Sequence, residues 1–195
     1  GLKSLEELDV SENQLRSLPD AISELVSLRK LSLSINPITE LPEALGDLIS
    51  LEELEMYDWP KESVGQLEAL PDAIGKLTNL VKLDISSNKL SSLPEAIGDL
   101  SSLQILGFGN NRLTSIPTSI GRLSKLRKLN VSHNELTQLP NQIADLTQLK
   151  ELRVTHNRIT TLPEELSLMF ELERFNFIEN PLTGAPKTIA ALSLN

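Results

Sequence analysis

Two histidines separated by 23 residues are the side chains of this sequence that best fit metal chemistry. His133 and His156 are the only histidines of the chain, and Glu179 follows at the same interval. Imidazole nitrogens and carboxylate oxygens are common ligands of zinc and other transition metals. The same regular spacing also arises when surface side chains simply recur in register. We therefore expect the histidines to be stacked neighbours, and we predict neither a metal ligand nor a cofactor.

Other patterns with catalytic meaning are weak. Gly107-Phe108-Gly109 matches the start of a phosphate-binding G-x-G-x-x-G loop, but Arg112 replaces the third glycine. The chain contains no cysteine, which excludes disulfides, thiolate metal sites and cysteine nucleophiles. No serine, histidine and aspartate order and no catalytic carboxylate pair stands out from the periodic pattern. We expect this chain not to be an enzyme, and a catalytic domain outside it is left open.

The charge balance restricts the class of partner. The net charge of -9 gives no dominant basic field, which sequence-independent binding to nucleic acid or to an anionic membrane would need. No apolar run reaches the roughly 18 residues of a membrane-spanning helix. We expect no nucleic-acid partner and no membrane insertion. The absence of cysteine favours a cytoplasmic location, with a bacterial protein exported into a host cell as the alternative.

A repeat of 23 residues organises the whole sequence. Its clearest unit begins at Leu80 and has leucine or isoleucine at positions 1, 4, 6, 11, 14, 18 and 21, with asparagine at position 9 and proline at position 15. Apolar and polar residues alternate around position 4, which predicts a short strand with one buried face. Spacings of three and four after the proline predict a helical turn or a 3-10 segment. Eight units fit, and they begin at Leu5, Leu28, Leu51, Leu80, Leu103, Leu126, Leu149 and Leu172.

This frame resembles the leucine-rich-repeat family, whose pattern is L-x-x-L-x-L-x-x-N-x-L-x-x-L-P-x-x-I-x-x-L. The resemblance covers residues 5–194. It implies one domain over residues 1–195, an α/β solenoid curved into a right-handed horseshoe, with a parallel sheet on the concave face and short helical or 3-10 segments on the convex face. It also implies recognition of another protein, as in intracellular Ras-associated scaffolds, Scribble-like proteins and bacterial relatives. The alternative is the substrate-recognition domain of a larger enzyme, such as a secreted bacterial ubiquitin ligase or a Roco-type GTPase or kinase.

The asparagine at position 9 has a structural interpretation. Its side-chain amide can bond backbone groups of adjacent units, so that successive asparagines form a ladder. The third unit breaks the ladder because it carries six extra residues between Met56 and Leu67, and either Trp59 or Gly65 replaces its asparagine. The ladder consists of Asn13, Asn36, Asn88, Asn111, Asn134, Asn157 and Asn180.

Positions 3, 5 and 7 of each unit are expected to point away from the core, with position 8 at the rim. Counted over these positions, the first four units carry a net charge of -5 and the last four +1, which predicts a polarised groove for a partner protein or for another domain of the same polypeptide. Pairing between neighbouring strands is the alternative meaning of the alternating charges. Near the middle, Ile105, Gly107 and Gly109 predict a shallow patch almost free of side chains. The predicted partner-binding residues are Glu53, Glu55, Tyr57, Asp58, Trp59, Asp84, Ile105, Lys128, Arg153 and Arg174.

The first unit has no recognisable cap. Its apolar positions from Leu5 to Leu25 follow the repeat pattern completely, so its outer edge is expected to face water. We therefore expect the chain to be a fragment of a longer protein.

Overall fold

A computed structural model describes residues 1–57 and 65–183 of the chain. In that part, three-residue strands alternate with five-residue 3-10 helices. The strands are β1 Glu7–Asp9, β2 Lys30–Ser32, β3 Glu53–Glu55, β4 Lys82–Asp84, β5 Ile105–Gly107, β6 Lys128–Asn130, β7 Glu151–Arg153 and β8 Arg174–Asn176. The 3-10 helices are η1 Asp20–Glu24, η2 Glu43–Asp47, η3 Asp72–Lys76, η4 Glu95–Asp99, η5 Thr118–Arg122, η6 Asn141–Asp145 and η7 Glu164–Leu168.

The strands form one parallel sheet in the order of the chain, from β1 to β8. The central leucine of each strand pairs with that of the next, as Leu8 does with Leu31, and this register is kept across the longer third unit, where Leu54 pairs with Leu83. The structure thus confirms the predicted solenoid with its parallel sheet. The predicted helical turns are 3-10 helices, and each follows a proline in extended backbone, such as Pro94 before η4.

The core is a continuous stack of leucine and isoleucine layers between the sheet and the 3-10 helices. Leu80, Leu83, Ile85 and Leu90 of one unit are fully buried, and their counterparts in the neighbouring units are buried as well. Each such side chain contributes roughly 1.5–3 kcal/mol through burial. Stacking supplies this burial, since the leucines of the first unit, with no unit before it, are only partly buried.

From the second unit on, each ladder asparagine bonds backbone groups of its own unit and of the unit before it. Asn111 Nδ2 donates to the carbonyl oxygens of Phe108 at 3.1 Å and of Ile85, in the preceding unit, at 3.0 Å. Its Oδ1 accepts from the backbone N–H of Leu90, also in the preceding unit, at 3.0 Å. Asn36, Asn88, Asn134 and Asn157 are buried like Asn111, whereas Asn180 is half-buried and Asn13 is exposed. Asn13 donates only to carbonyls of its own unit.

In the third unit, Gly65 occupies the ladder position. Its backbone N–H donates to Ser87 O at 2.9 Å, as the N–H of Asn111 does to His133 O at 3.1 Å. A side chain has no room here, because a Cβ on Gly65 would lie 2.3 Å from Asn88 Oδ1. Of the two alignments of the insertion, the structure therefore supports the one counted from Leu67.

Position 8 has a backbone conformation that the repeat pattern alone did not predict. Seven residues there, none of them glycine, have φ between 53° and 59°. This left-handed region disfavours side chains, and most of all a β-branched residue such as Ile35, with φ of 56°. The conformation turns the chain away from the sheet so that the next residue can enter the ladder. The seven residues are Glu12, Ile35, Ser87, Asn110, His133, His156 and Glu179.

Adjacent 3-10 helices approach each other most closely at glycine. A Cβ on Gly98 of η4 would lie 2.4 Å from the backbone oxygen of Ser119 in η5. The close approach buries Ser119, whose hydroxyl has no hydrogen-bond partner. Glycine at this position therefore determines how tightly the convex sides of neighbouring units pack.

Replacing Asn111 by alanine should lower the free energy of unfolding by about 1–3 kcal/mol, because backbone groups of two units lose their buried partner. The matched control is Asn13→Ala, which removes the same amide from an exposed site and should cost less than about 1 kcal/mol. Chemical denaturation of both variants measures the difference. Equal losses of unfolding free energy would mean that the hydrogen bonds between units do not contribute to stability.

Replacing Gly98 by alanine should destabilise the protein by about 1–3 kcal/mol, because the new methyl group overlaps the backbone of Ser119. The control is Gly109→Ala, whose Cβ would lie 3.1 Å from the side-chain nitrogen of Asn130 and 3.6 Å, an ordinary contact, from the backbone oxygen of Ser132. Thermal unfolding compares the two variants. A wild-type melting temperature for Gly98→Ala would contradict the close packing of η4 and η5.

Candidate partner-binding surface

The exposed side of the eight-stranded sheet, called here the concave face, carries the side chains of positions 3 and 5 of each unit. Among the described residues it has a depression over β1–β3 and another over β4–β7. Position 7 departs from the prediction in part of the units, whereas Tyr57 and Ile178 are exposed there as expected. Ser34, Gly109 and Ser132 are buried, because the chain already turns away from the sheet toward position 8.

The depression over β4–β7, called here the central depression, has a volume of about 240 Å³. It brings together four of the predicted residues, Asp84, Ile105, Lys128 and Arg153. Glu151, Asn130 and Gly107 also line it. The side chains come from four neighbouring strands, so the parallel register alone places them side by side.

Glu151 is the residue of this surface whose role sequence reasoning missed. Its side chain is only 10% exposed, although position 3 was expected to face solvent. Arg153 Nε donates to Glu151 Oε1 at 2.5 Å, and Arg174 Nη1 lies 3.9 Å from Glu151 Oε2. The two arginines remain 55% and 75% exposed. A single buried carboxylate therefore orients the guanidinium group of Arg153 by a hydrogen bond and lies near that of Arg174, and both groups face solvent.

The expected shallow patch around the central glycines is present only in part, because polar side chains lie against both glycines. Gly107 and Gly109 are buried, because side chains of neighbouring strands cover them. A Cβ on Gly107 would lie 2.7 Å from Asp84 Oδ1, and one on Gly109 would lie 3.1 Å from Asn130 Nδ2. Gly107 thus leaves room for the side chain of Asp84 and still lines the central depression beside the half-buried Ile105, whereas Gly109 leaves room for Asn130 and does not line the depression.

Position 5 often carries Asp or Asn for a local reason. The side-chain oxygen of Asp84 accepts from the backbone N–H of Ser86 at 3.1 Å and from its hydroxyl at 2.6 Å. Asn130 and Asp9 make the same bond to the N–H two residues on. At Asp9 the hydrogen bonds from Ser11 lower the pKa of the carboxyl below its usual value. Asp84 thus terminates its strand, in addition to lining the central depression.

The depression over β1–β3 is smaller, about 170 Å³, and Glu53 and Glu55 line it together with Glu7 and Lys30. Lys30 Nζ lies 3.8 Å from Glu7 and 3.6 Å from Glu53, so the alternating charges pair across the strands. Lys82 pairs with Glu55, and this hydrogen bond raises the pKa of the lysine above its ordinary value. Salt bridges between strands therefore compensate some of the charges that we predicted to contact a partner.

Tyr57 is the aromatic residue of the insertion that the structure describes. Tyr57 is exposed, and its backbone N–H donates to Ser34 Oγ at 3.2 Å. Tyr57 lines neither depression. Asp58 and Trp59 lie outside the described residues.

The two histidines are stacked neighbours, as predicted. Their ring centroids are 4.1 Å apart, and the ring planes are inclined by 15°. Within residues 1–57 and 65–183, no three His, Cys, Asp or Glu side chains are grouped so that they could hold a metal ion. The same residues contain no helix that is long and apolar enough to cross a membrane.

Solved structures provide the nearest comparisons. A leucine-rich-repeat protein of Leptospira interrogans is 33% identical, with a TM-score of 0.73, and the match covers 98% of this chain and 53% of that one. The ectodomain of the Arabidopsis thaliana receptor kinase GASSHO1/SCHENGEN3, in complex with Casparian strip integrity factor 2, is 30% identical over 97% of this chain and 23% of that one, with a TM-score of 0.82. The Arabidopsis receptor kinase HAESA, in complex with the peptide hormone IDA and the co-receptor SERK1, is 29% identical over 89% of this chain and 30% of that one, with a TM-score of 0.76. The chain thus spans about half of the bacterial protein and less than a third of either plant receptor.

Sequence models of two related families match the chain. No curated protein is similar enough in sequence to count as a match. A model described as leucine rich repeat matches residues 1–38, and one described as leucine-rich repeat region matches residues 71–180, which is more than half of the sequence. The chain belongs to the leucine-rich-repeat family.

Proposed function

We propose that this chain is a protein-recognition module that binds a partner protein on its concave face, without catalysing a reaction itself. The central depression is the observation that carries this proposal. It gathers charged, polar and apolar side chains from four strands on a rigid sheet, and it is large enough to accept a protruding side chain. The structures of two similar receptors in complex with peptides support the same class of function.

Arg153 and Arg174 are the best candidates for strong contacts. Arginine is enriched among the residues that dominate binding energy, because its planar group forms several directed hydrogen bonds. Glu151 already holds the side chain of Arg153 by a hydrogen bond, so a partner would order that arginine at a smaller entropic cost. The aromatic residues Tyr57, which follows β3, and Trp59, which the sequence analysis predicted, are further candidates.

A second candidate function is substrate recognition within a larger enzyme. The chain spans only part of each similar protein, and two of those proteins are receptor kinases. In this proposal the concave face recruits a substrate or another domain of the same polypeptide for a catalytic domain outside the chain.

The cellular location is a separate proposal. We propose a cytoplasmic location, with export of a bacterial protein into a host cell as the alternative.

Replacing Arg153 by alanine should weaken partner binding by more than about 1 kcal/mol, which is roughly fivefold in affinity, while folding is retained. Arg122→Ala on η5 is the matched control. Its side chain is 68% exposed and pairs with Asp99, but it lies on the convex side. Calorimetry with a purified partner compares the affinities of the two variants. Equal losses of affinity would argue against binding on the concave face.

Affinity capture with the immobilised chain identifies the partner for that measurement. The capture is repeated with a variant that combines Arg153→Glu with Trp59→Ala, after thermal unfolding has shown that the variant is folded. We expect the specific partners to be lost from the variant and kept by Arg122→Ala. If the folded variant retains the same partners at the same affinity, recognition does not use these residues.

A further inference from the structure

The edge of the sheet at which the strands begin carries a basic cluster, of which the concave-face prediction included only Lys128. Lys125 and Arg127 lie in the turn that leads into β6, Lys128 is the first residue of β6, and Lys150 directly precedes β7. All four residues are exposed. Within the described part of the chain, Lys125, Arg127 and Lys128 have no ion-pair partner. The cluster therefore presents uncompensated positive charge on a protein whose net charge is -9.

Backbone hydrogen bonds fix the arrangement of this cluster. The N–H of Lys150 donates to Arg127 O at 2.9 Å, and the N–H of Glu173 donates to Lys150 O at 2.9 Å, so these residues form one column across the strands. Glu173 pairs with Lys150 at 2.7 Å and raises the pKa of the lysine, whereas the nearby charge of Arg127 opposes its protonation. Glu173 thus compensates the charge of Lys150, whose pKa is raised overall, whereas Arg127 in the same column has no ion-pair partner among the described residues and could bind an anionic group of a partner.

The two halves of the sheet differ in net charge at equivalent positions of the repeat. Counted over positions 23, 2, 3 and 5, units five to eight carry six basic and three acidic residues, a net charge of +3. Units one to four carry three basic and seven acidic residues at the same positions, a net charge of -4. The basic half combines the cluster at the strand starts with Arg153 and Arg174 on the concave face. The six basic residues are Lys125, Arg127, Lys128, Lys150, Arg153 and Arg174.

We propose that this basic half, from the strand-start edge of β6 and β7 to Arg153 and Arg174 on the concave face, is the binding surface for a short acidic segment of the partner protein. The inference rests on the proposed function and specifies the chemistry of the partner. Four strands at about 4.8 Å spacing extend over roughly 14 Å, which is the length of about four residues of extended chain. Aspartate and glutamate side chains of such a segment match the guanidinium and ammonium groups that lie across the strands.

The dimensions favour an acidic protein segment over nucleic acid. A nucleic-acid duplex carries about one charge per 1.7 Å along its axis and continues well beyond 14 Å. A polyanion that follows the groove past β5 would meet the acidic half of the sheet, with Glu53, Glu55 and Asp84. A segment of a few acidic residues ends before that point, and basic residues on its other side would match the acidic half.

The test uses fluorescence anisotropy at low ionic strength with a labelled peptide of about six alternating Asp and Glu residues, long enough to cover the roughly 14 Å surface. A peptide of the same length built from Asn and Gln is the uncharged control. We expect the acidic peptide to bind at least about tenfold more tightly than the amide peptide, with an affinity that falls as salt is added.

Charge-reversal variants locate the site. Combining Arg127→Glu with Lys128→Glu should weaken binding of the acidic peptide at least about tenfold. The matched control combines Lys89→Glu with Arg112→Glu at position 10, near the opposite ends of the strands, and changes the net charge by the same amount. We expect it to weaken binding less than about threefold. Equal effects of the two variants, or no preference for the acidic peptide, would overturn the proposal.

Two further outcomes separate this proposal from its alternatives. If a labelled single-stranded oligonucleotide of equal charge binds more tightly than the acidic peptide and depends on Arg127 and Lys128, the surface is a polyanion site and the proposal fails. The captured partner supplies the other outcome. If its binding depends on Arg153 but not on Arg127 and Lys128, this inference fails while the proposed function stands, and if it depends on none of them, both fail.

Discussion

The stacking of one repeat on the next is the constraint on which the whole structure depends. A single unit has a strand of three residues and a 3-10 helix of five, and neither can bury its leucines or satisfy its backbone alone. Contact between neighbours solves both problems, since leucine layers exclude water while asparagine amides bond backbone groups of two units. Stability is therefore a property of adjacent pairs of units, as expected for a quasi-one-dimensional solenoid.

The same constraint explains why the surface is divided into columns. A parallel register without slips places each position of the repeat directly beside its counterpart in the next unit. Charges that are 23 residues apart in sequence are then one strand apart in space, so a small local bias in sequence becomes a large continuous field. The pairs formed by Lys30 with Glu7 and Glu53, and the basic half around Arg127, both follow from this rule.

A buried carboxylate between two exposed arginines gives the second half of the sheet its distinctive chemistry. Burial of Glu151 is costly unless hydrogen bonds compensate for lost hydration, and Arg153 supplies such a bond. The arrangement leaves donors of both guanidinium groups directed to solvent, and the carboxylate limits the position of the guanidinium group of Arg153. An arginine that is already held by a carboxylate loses less side-chain entropy when an anionic group of a partner binds to it. Part of its entropic cost of ordering is incurred during folding.

The sequence by itself determined the sheet, the 3-10 helices, the leucine core and the asparagine ladder, because each depends on a residue type that recurs at a fixed position. It also predicted Asp84, Ile105, Lys128 and Arg153 as partner-binding residues, and the structure brings these four residues together in one depression. Other features arise from neighbours and were not predictable in this way. Only the tertiary structure showed that Glu151 is buried and that side chains of adjacent strands lie against the central glycines. It also showed that residues at position 8 have a left-handed backbone conformation. In each of these cases the decisive contact joins residues of different units, or follows from a backbone turn that the stacking imposes, so the residue type alone carries no signal of it.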